Sequence, residues 1–211
     1  MTPILYSFRR CPYAMRARMA LILASKECEL REILLKEKPE EMLKVSSKGT
    51  VPVLQFNNKV LDESLDIISW AMESPAPNVY IYSEAEQLFS SELIYLFDSK
   101  FKFHLDRYKY SSRYGENPRE HQQKCKIILE NLDKKINFSP WIFGKKVSLL
   151  DISILPFIRQ CKIANPDWFF SQNFVNVINL LNYFESSDLF FQAMQKYDLW
   201  DPIKNNGNVF P

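Results

Sequence analysis

Glycine, histidine and cysteine are scarce in this sequence, and long hydrophobic runs are missing from it. The 211 residues include 4 glycines, 2 histidines and 4 cysteines. No segment reaches the roughly 18 uninterrupted apolar residues of a membrane helix, and the amino terminus lacks the charged-then-apolar layout of a signal peptide. The cysteines, at positions 11, 28, 125 and 161, have no metal-ligand spacing. We therefore expect a cytoplasmic protein with reduced thiols and no metal site.

An excess of charge of one sign is also missing. Lysine and arginine total 27 against 25 for aspartate and glutamate, which gives a formal net charge of +2. This near balance argues against nucleic acid or a membrane surface as the main partner. Apolar residues are plentiful, since 46% of the chain is hydrophobic and 14% is aromatic. Such a composition indicates a compact globule with enough chain for two modest domains.

The pattern of strands and helices changes partway along the chain. Residues 1–74 follow the order β-α-β-α-β-β-α, which predicts a small α/β domain of the thioredoxin type with one parallel crossover and an antiparallel closing hairpin. Residues 75–82 contain two prolines and no periodicity, so they predict a linker. Residues 83–211 lose the strand pattern and carry capping boxes at Ser83 and Ser148, which predicts an all-α second domain.

The most informative residue is Cys11, which lies between a short apolar strand and a helix that opens with Pro12. A thiol at such a junction faces the amides of Tyr13 and Ala14 and the positive end of the helix dipole, and both favour the thiolate. Cysteines in this position have pKa values of about 3.5 to 7.5, compared with about 8.5 for an ordinary thiol. Because Ala14 occupies the second position of a CxxC pair, a redox cycle at Cys11 needs its second thiol from outside. The alternative is a buried, inert cysteine.

Two later segments predict contacts with a ligand. Val51-Pro52 puts a proline into a convincing strand, which fits a strand start beside a cleft, with a cis bond and with the Val51 backbone available to an extended peptide. The alternative is an edge-strand proline without a ligand. Glu63-Ser64 follows the last strand and opens a helix, so it offers amides and a hydroxyl to a carboxylate and a carboxylate to an ammonium group. The alternative there is ordinary helix capping.

Taken together, these segments resemble the glutathione transferase family over essentially the whole chain, and most closely its cysteine-type, omega-like members and their bacterial relatives. Cys11-Pro12-Tyr13-Ala14 is similar to the Cys-Pro-Phe-Ala active-site segment of that family. The resemblance makes Cys11 the residue expected to form a mixed disulfide with glutathione. Ser148 to Asp151 resembles the structural capping box of the second domain in the family.

The resemblance also implies where glutathione binds. Lys38 is expected near the glycine carboxylate, the Val51-Pro52 pair at the cysteinyl backbone, and Glu63 with Ser64 at the γ-glutamyl end. The alternative for Lys38 is a solvated lysine, as most loop lysines are. The full set of implied glutathione-binding residues is Pro12, Tyr13, Lys38, Val51, Pro52, Glu63 and Ser64.

Other hydroxyl and imidazole groups are weaker candidates. In other branches of the family a tyrosine or serine near the end of the first strand activates glutathione, and Tyr6 and Ser7 stand near that place. Alternation with neighbouring residues points Tyr6 inward, so we expect it in the core and give Ser7 only a minor role. His104 and His121 have no nucleophile or carboxylate constellation around them in the sequence, and we expect surface or satisfied side chains there.

The function implied by the resemblance is a glutathione-dependent thiol transferase or reductase with glutathione as co-substrate and no metal. Its other substrate would be a small electrophile or disulfide. Two alternatives stay open, namely a transferase that conjugates glutathione to electrophiles and a non-enzymatic adaptor that retains the fold. The resemblance alone further implies a homodimer.

Overall fold

The computed structural model describes residues 2–204 and 207–211, and the chain divides into two compact units. The first unit comprises residues 1–77 and 187–211, and the second comprises residues 78–186. Within the described residues, the helices are all too short or too polar to cross a membrane.

The first unit is built on a five-stranded mixed sheet in the order β4-β3-β1-β2-β5. Strands β1 and β2 are parallel, whereas the β1-β3, β3-β4 and β2-β5 pairs are antiparallel. Alternation of side chains buries Leu5 and Leu30 completely. The elements are β1 Ile4–Ser7, α1 Pro12–Leu23, β2 Cys28–Glu32, α2 Glu40–Val45, β3 Val53–Phe56, β4 Lys59–Leu61, α3 Ser64–Met72, α11 Asp188–Ala193 and β5 Asn208–Phe210.

The parallel crossover and the closing hairpin of this sheet confirm the thioredoxin-like prediction. The hairpin turns at Asn57 and Asn58, which both have positive φ, 42° and 62°. Asparagine tolerates this backbone region better than most residues, which explains why the Asn-Asn pair marks the turn. Helix α1 is buried along most of its length, from Ala14 to Leu21.

The second unit is helical. Its long helices begin at side-chain caps: Ser83 and Ser148 each form a complete capping box, and the Asn117 side chain accepts from the Arg119 amide. The helix starts at Ser83 and Ser148 agree with the sequence prediction. The elements are α4 Glu84–Leu96, a π-helical turn Phe97–Phe101, α5 Lys102–Lys109, α6 Ser111–Tyr114, α7 Pro118–Asp133, α8 Leu149–Ala164, α9 Pro166–Phe170 and α10 Val175–Glu185.

The carboxyl-terminal segment differs from the sequence-based division. The sequence predicts a helical domain that runs from 83 to 211, whereas the compact units assign residues 187–211 to the first unit. The physical reason is strand pairing, since Val209 and Phe210 lie opposite Glu29 and Cys28 in β2. Phe210 is buried, with 1% of its surface exposed, and extends the sheet beyond β2.

Candidate active site

Cys11 lies where the sequence places it, at the junction of β1 and α1. It is the N-cap residue of α1, with extended backbone angles of φ −78° and ψ 125°. Its amide donates to the Phe8 carbonyl at 2.9 Å, and its carbonyl accepts from the Met15 amide at 2.9 Å. Pro12 is in the first helical turn, where no intrahelical donor is lost. The junction therefore fixes the backbone of Cys11 on both sides.

The Cys11 thiol differs from the other three cysteines in its exposure. Cys11 is half-buried, whereas Cys28, Cys125 and Cys161 are buried. Burial raises the pKa of the Cys28 thiol to about 12. A hydrogen bond with Cys125, together with burial, raises the pKa of the Cys161 thiol. Those three side chains are consequently packing residues, while part of the Cys11 side chain is exposed.

Val51 lies directly against Cys11. The Cys11 Sγ is 3.6 Å from the Val51 carbonyl oxygen, and the Val51-Pro52 peptide bond is cis, as the sequence predicts. Strand β3 begins at Val53, so Pro52 precedes the ladder and removes no ladder donor. Cys11 and Val51 also share one apolar cluster, which includes Ala14. The thiol and the backbone of the cis-proline segment thus belong to one site.

Helix α3 begins at Glu63 and Ser64, next to the buried side chain of Arg16. Ser64 is 4% exposed, and its hydroxyl accepts from Nη1 of the buried Arg16 at 3.3 Å. Glu63 is the N-cap residue, but its side chain makes no capping hydrogen bond. Its carboxylate instead accepts from the Lys48 ammonium at 2.7 Å. Ordinary helix capping, the alternative role for Glu63, therefore lacks the hydrogen bond from the side chain to a helix amide that defines a cap.

Lys48 carries two carboxylate contacts that the sequence reading missed. Its ammonium donates to Asp62 at 2.8 Å as well as to Glu63. The hydrogen bonds to Asp62 and Glu63 raise the pKa of Lys48. Hydrogen bonds from Lys48 and Ser46 lower the pKa of Asp62. The carboxylate of Glu63 is thus paired with the Lys48 ammonium.

Lys38 is exposed just before helix α2. Its ammonium lies beside Gly49, since a Cβ at that glycine would be 3.5 Å from the Lys38 Nζ. Gly49 has φ +61°, a conformation that side-chain-bearing residues rarely adopt. Within residues 2–204 and 207–211, no carboxylate pairs with Lys38. The lysine therefore stands close to the segment that leads to Val51, with its charge available.

The side chains of Tyr6 and Ser7 are both buried and hydrogen-bonded inside the first unit. Tyr6 is 1% exposed, its hydroxyl accepts from Arg31 at 2.8 Å, and burial raises its pKa. The core placement predicted for Tyr6 is confirmed. Ser7 is fully buried, and its hydroxyl accepts from the Arg18 Nε at 2.9 Å. Neither hydroxyl is presented to a substrate.

A network around Glu32 holds the turn that leads to Cys11. The Arg9 amide donates to one oxygen of Glu32 at 2.7 Å, and the buried Arg18 donates to the other. The guanidinium groups of Arg9 and Arg18 also donate to the carbonyls of Met194 and Ala193, each at 3.1 Å. This network could not be predicted from the sequence, because an arginine within a helical pattern, such as Arg18, is normally expected at the surface.

The two histidines lie in the second unit and contact each other. The Nδ1 atoms of His104 and His121 are 2.8 Å apart, and the His121 Nε2 is 2.7 Å from a Glu116 carboxylate oxygen. His121 is 8% exposed. The prediction that these are satisfied side chains agrees with these contacts.

Comparisons with known proteins agree with this geometry. The family model described as "Glutathione S-transferase, N-terminal domain" matches residues 5–78. Glutathione S-transferase L1 from Arabidopsis thaliana is 29% identical over 166 residues, which cover 77% of this chain and 68% of that protein. Glutathione S-transferase DHAR3, chloroplastic, from the same plant is 26% identical over 158 residues, which cover 73% of this chain but only 56% of the relative.

Solved structures share the fold over nearly the whole chain. Glutathione transferase Omega 3C from Trametes versicolor has a TM-score of 0.75 at 17% identity, covering 94% of this chain and 91% of that one. A glutathione transferase family member from Pseudomonas fluorescens, solved with two glutathione bound, has a TM-score of 0.77 at 18% identity and covers 92% of both chains. Residues 5–78 thus match the amino-terminal domain of glutathione S-transferases, and the chain has the glutathione transferase fold.

Proposed function

We propose that the protein is a glutathione-dependent thiol transferase of the cysteine-type, omega-like branch, with Cys11 as its catalytic monothiol. The single observation that carries this proposal is the half-buried Cys11 at the N-terminus of α1, with its Sγ 3.6 Å from the Val51 carbonyl. The dipole of α1 favours the thiolate at this position, whereas the Val51 carbonyl accepts only from the protonated thiol, and the Cys11 side chain makes no capping hydrogen bond. Ala14 in the second CxxC position leaves no internal resolving thiol in that motif.

The residues around Cys11 have the chemistry that glutathione needs. Glu63 supplies a carboxylate for the γ-glutamyl ammonium group, and Ser64, held by Arg16, supplies a hydroxyl for the neighbouring carboxylate. The backbone of Val51, beside Pro52, suits the extended cysteinyl part of the tripeptide. Lys38 offers a cation to the glycine carboxylate, while Pro12 and Tyr13 flank the thiol. These assignments describe glutathione lying extended across the first unit.

The reaction proceeds in two thiol–disulfide exchanges. The Cys11 thiolate attacks the glutathione sulfur of a glutathionylated thiol, so that a new disulfide forms between Cys11 and glutathione while the substrate leaves as a thiolate and takes up a proton. The thiolate of a second glutathione then attacks the glutathione sulfur on Cys11. Glutathione disulfide leaves, and the Cys11 thiolate is restored. By resemblance, dehydroascorbate is a further oxidised substrate that two glutathione molecules would reduce.

Conjugation of electrophiles is disfavoured by the hydroxyl groups near β1. Tyr6 is 1% exposed and Ser7 is fully buried, so neither hydroxyl is placed at the surface where it could donate to a glutathione thiolate. An enzyme without that donor is expected to conjugate aromatic electrophiles poorly. We further propose a cytoplasmic homodimer, and size-exclusion chromatography with light scattering tests its oligomeric state.

The test of the mechanism is the intact-protein mass after exposure to glutathione disulfide, combined with turnover of a small mixed disulfide. We expect one glutathionyl group on the wild type, none on Cys11→Ser, and turnover that falls to background in that variant. Cys28→Ala removes a buried cysteine and serves as the matched control, which should keep both the adduct and the turnover.

The opposite results have distinct meanings. Turnover that survives in Cys11→Ser would contradict the monothiol mechanism. Activity on a chloro-nitroaromatic that survives in the same variant would indicate conjugation chemistry. A wild type that neither takes up glutathione nor turns over would indicate an adaptor with a transferase fold.

A further inference from the structure

An exposed ion pair stands at the start of α3, where the γ-glutamyl end of glutathione is proposed to bind. The Lys48 Nζ is 2.7 Å from Oε1 of Glu63 and 2.8 Å from Oδ1 of Asp62. The Lys48 side chain is 46% exposed, that of Glu63 is 64% exposed and that of Asp62 is 27% exposed. The positive and the negative charge of the Lys48–Glu63 pair are thus both accessible to solvent.

Asp62 anchors Lys48 independently of Glu63. The second oxygen of Asp62, Oδ2, accepts from the Ser46 hydroxyl at 2.8 Å, and Ser46 is 3% exposed. One short segment, residues 46–48, therefore donates to both oxygens of Asp62. A lysine that only neutralises Glu63 needs a single carboxylate. Because Asp62 provides a second one, the Lys48 ammonium keeps a partner when the Glu63 carboxylate turns to a ligand.

Both members of the pair retain hydrogen-bonding capacity for a ligand. An ammonium group has three N–H donors, and that of Lys48 has two partners among the residues that the structure describes. Within residues 2–204 and 207–211, the Glu63 carboxylate accepts at Oε1 and has no partner at Oε2. The pair thus offers one donor on a cation next to one acceptor on an anion.

The head group of an α-amino acid carries the complementary arrangement. Its ammonium and its carboxylate are attached to one carbon atom, so a positive and a negative charge lie side by side. When this head group faces the pair, its ammonium lies against Glu63 and its carboxylate against Lys48, and the four charges alternate in sign. A ligand with only one of the two charges brings that charge close to a like charge of the pair as well. The pair therefore favours a zwitterion.

We propose that Lys48 is a specificity-determining residue that binds the α-carboxylate of the γ-glutamyl group of glutathione, while Glu63 binds its ammonium group. The inference rests on the proposed function and adds a residue to the seven glutathione-binding residues expected from the sequence. Lys48 keeps its hydrogen bond to Asp62 and donates a further one to the ligand. The ligand carboxylate then accepts from Lys48 as well as from the Ser64 hydroxyl.

The test is equilibrium binding of three tripeptides that lack a thiol, measured by calorimetric titration. In γ-glutamyl-seryl-glycine a hydroxyl replaces the thiol of glutathione, and both charges of the head group are kept. The α-carboxylate is absent from 4-aminobutyryl-seryl-glycine, and the ammonium is absent from glutaryl-seryl-glycine. For Lys48→Gln we expect the Kd of γ-glutamyl-seryl-glycine to rise about threefold to fivefold, the range of one exposed charge contact. The increase should shrink as ionic strength rises.

The two analogues separate recognition of the carboxylate from a general effect on the fold. Lys48→Gln should not weaken the binding of 4-aminobutyryl-seryl-glycine, because this ligand has no carboxylate for Lys48. It should weaken the binding of glutaryl-seryl-glycine, which retains that carboxylate. Lys48→Arg keeps the charge and the donors, and its Kd for γ-glutamyl-seryl-glycine should stay within about twofold of wild type. Lys44→Gln removes a lysine that is 72% exposed and pairs with Glu40, so it serves as the matched control and should leave all three Kd values unchanged.

The contrary results have separate meanings. A Kd for γ-glutamyl-seryl-glycine that stays the same or falls in Lys48→Gln overturns the inference, since Lys48 is then a surface charge or a competitor for Glu63. Equal weakening of the 4-aminobutyryl ligand also overturns it and makes Lys48 a structural clamp of residues 46–48. Both results leave the proposed function standing while Cys11 takes up glutathione and the mixed disulfide is turned over. A wild type that binds none of the tripeptides overturns the inference, and the proposed function fails as well if Cys11 takes up no glutathione.

Discussion

Two arginines of α1 place buried positive charges next to the residues around Cys11. Arg16 and Arg18 are both fully buried, an unusual position for arginine. Arg16 reaches Ser64, while Arg18 reaches Ser7, Glu32 and two backbone carbonyls. Burial lowers the pKa of Arg18, and the charge of Glu32 opposes that effect. A buried guanidinium is tolerated only while such partners are present.

Removing the charge of Glu32 should therefore destabilise the first unit. We expect Glu32→Gln to lower the free energy of unfolding by about 3 kcal/mol, because Arg18 is left as an uncompensated buried charge. Urea unfolding measures the change, and Glu27→Gln, at an exposed position between α1 and β2, should change it by less than about 0.5 kcal/mol. The double variant Arg18→Met with Glu32→Gln should recover part of the loss. A double variant no more stable than Glu32→Gln would contradict this account.

Asp151 should give the helical unit a distinctive pH dependence. It is fully buried, and burial raises the pKa of its carboxyl to about 6 from an ordinary value of 3.8. Between these values the folded protein binds more protons than the unfolded chain, so this group contributes stability at pH 4 that is lost as the pH rises to 6. The shift corresponds to about 3 kcal/mol. Between pH 4 and pH 6, the difference in unfolding free energy between wild type and Asp151→Asn should narrow by up to that amount. A constant difference over this interval would refute the raised pKa of Asp151.

Sequence reasoning found the residues whose backbone position is special and missed those whose partners are distant. Cys11, Pro52 and Ser148 each carry a local signal, namely a cap, a proline in a strand or a capping box. Arg18 and Lys48 carry none, because their roles depend on carboxylates 14 or 15 positions away in the chain. Such pairings become visible only once the strands are placed.

Helices α5 and α7 are joined by the His104–His121 contact. The Nδ1 atoms are 2.8 Å apart, so one ring has to accept from the other and cannot be protonated at that nitrogen. Phe103 lies edge-on to both rings. Burial, followed by the charges of His121, Lys124 and Arg107, lowers the pKa of His104, and Glu116 opposes them. The contact favours neutral His104.

Acidification should loosen this pair of helices. Because the pKa of His104 is lower in the folded protein, the unfolded chain binds more protons, so stability falls as the pH drops below the ordinary value of 6.5. In His104→Gln, which keeps a hydrogen-bonding side chain without the titration, we expect a flatter dependence between pH 7.5 and 5. Urea unfolding across that range provides the measurement. An identical slope in both proteins would show that His104 does not contribute.

Among the secondary-structure elements, the long capped helices and the alternating strands could be read from the sequence, and β5 could not. Helices α4, α7 and α8 have a cap followed by a sustained apolar pattern, which is the strongest local signal available. Strand β5 has three residues, too few for a periodicity, and it forms because β2 offers a free edge. The same shortness explains why the sequence pattern places residues 187–211 in the helical domain.

For the whole molecule, the main consequence of β5 is that the first unit is built from two separate stretches of the chain, residues 1–77 and 187–211. Phe210 is 1% exposed, whereas the adjacent Val209 is 76% exposed. We expect Phe210→Ala to lower the free energy of unfolding by about 3 to 5 kcal/mol, because a large buried aromatic is lost, and Val209→Ala to change it by less than about 1 kcal/mol. Equal effects of the two substitutions in chemical denaturation would contradict the burial pattern of β5.

The discontinuous first unit also affects synthesis on the ribosome. Residues 78–186 emerge before residues 187–211, so translation delivers the complete helical unit while β2 still lacks its outer neighbour. An unpaired strand edge is a template for pairing with another nascent chain. The first unit thus begins to be translated before the second and is completed after it. During that interval the unpaired edge of β2 is open to pairing with neighbouring nascent chains on the same polysome.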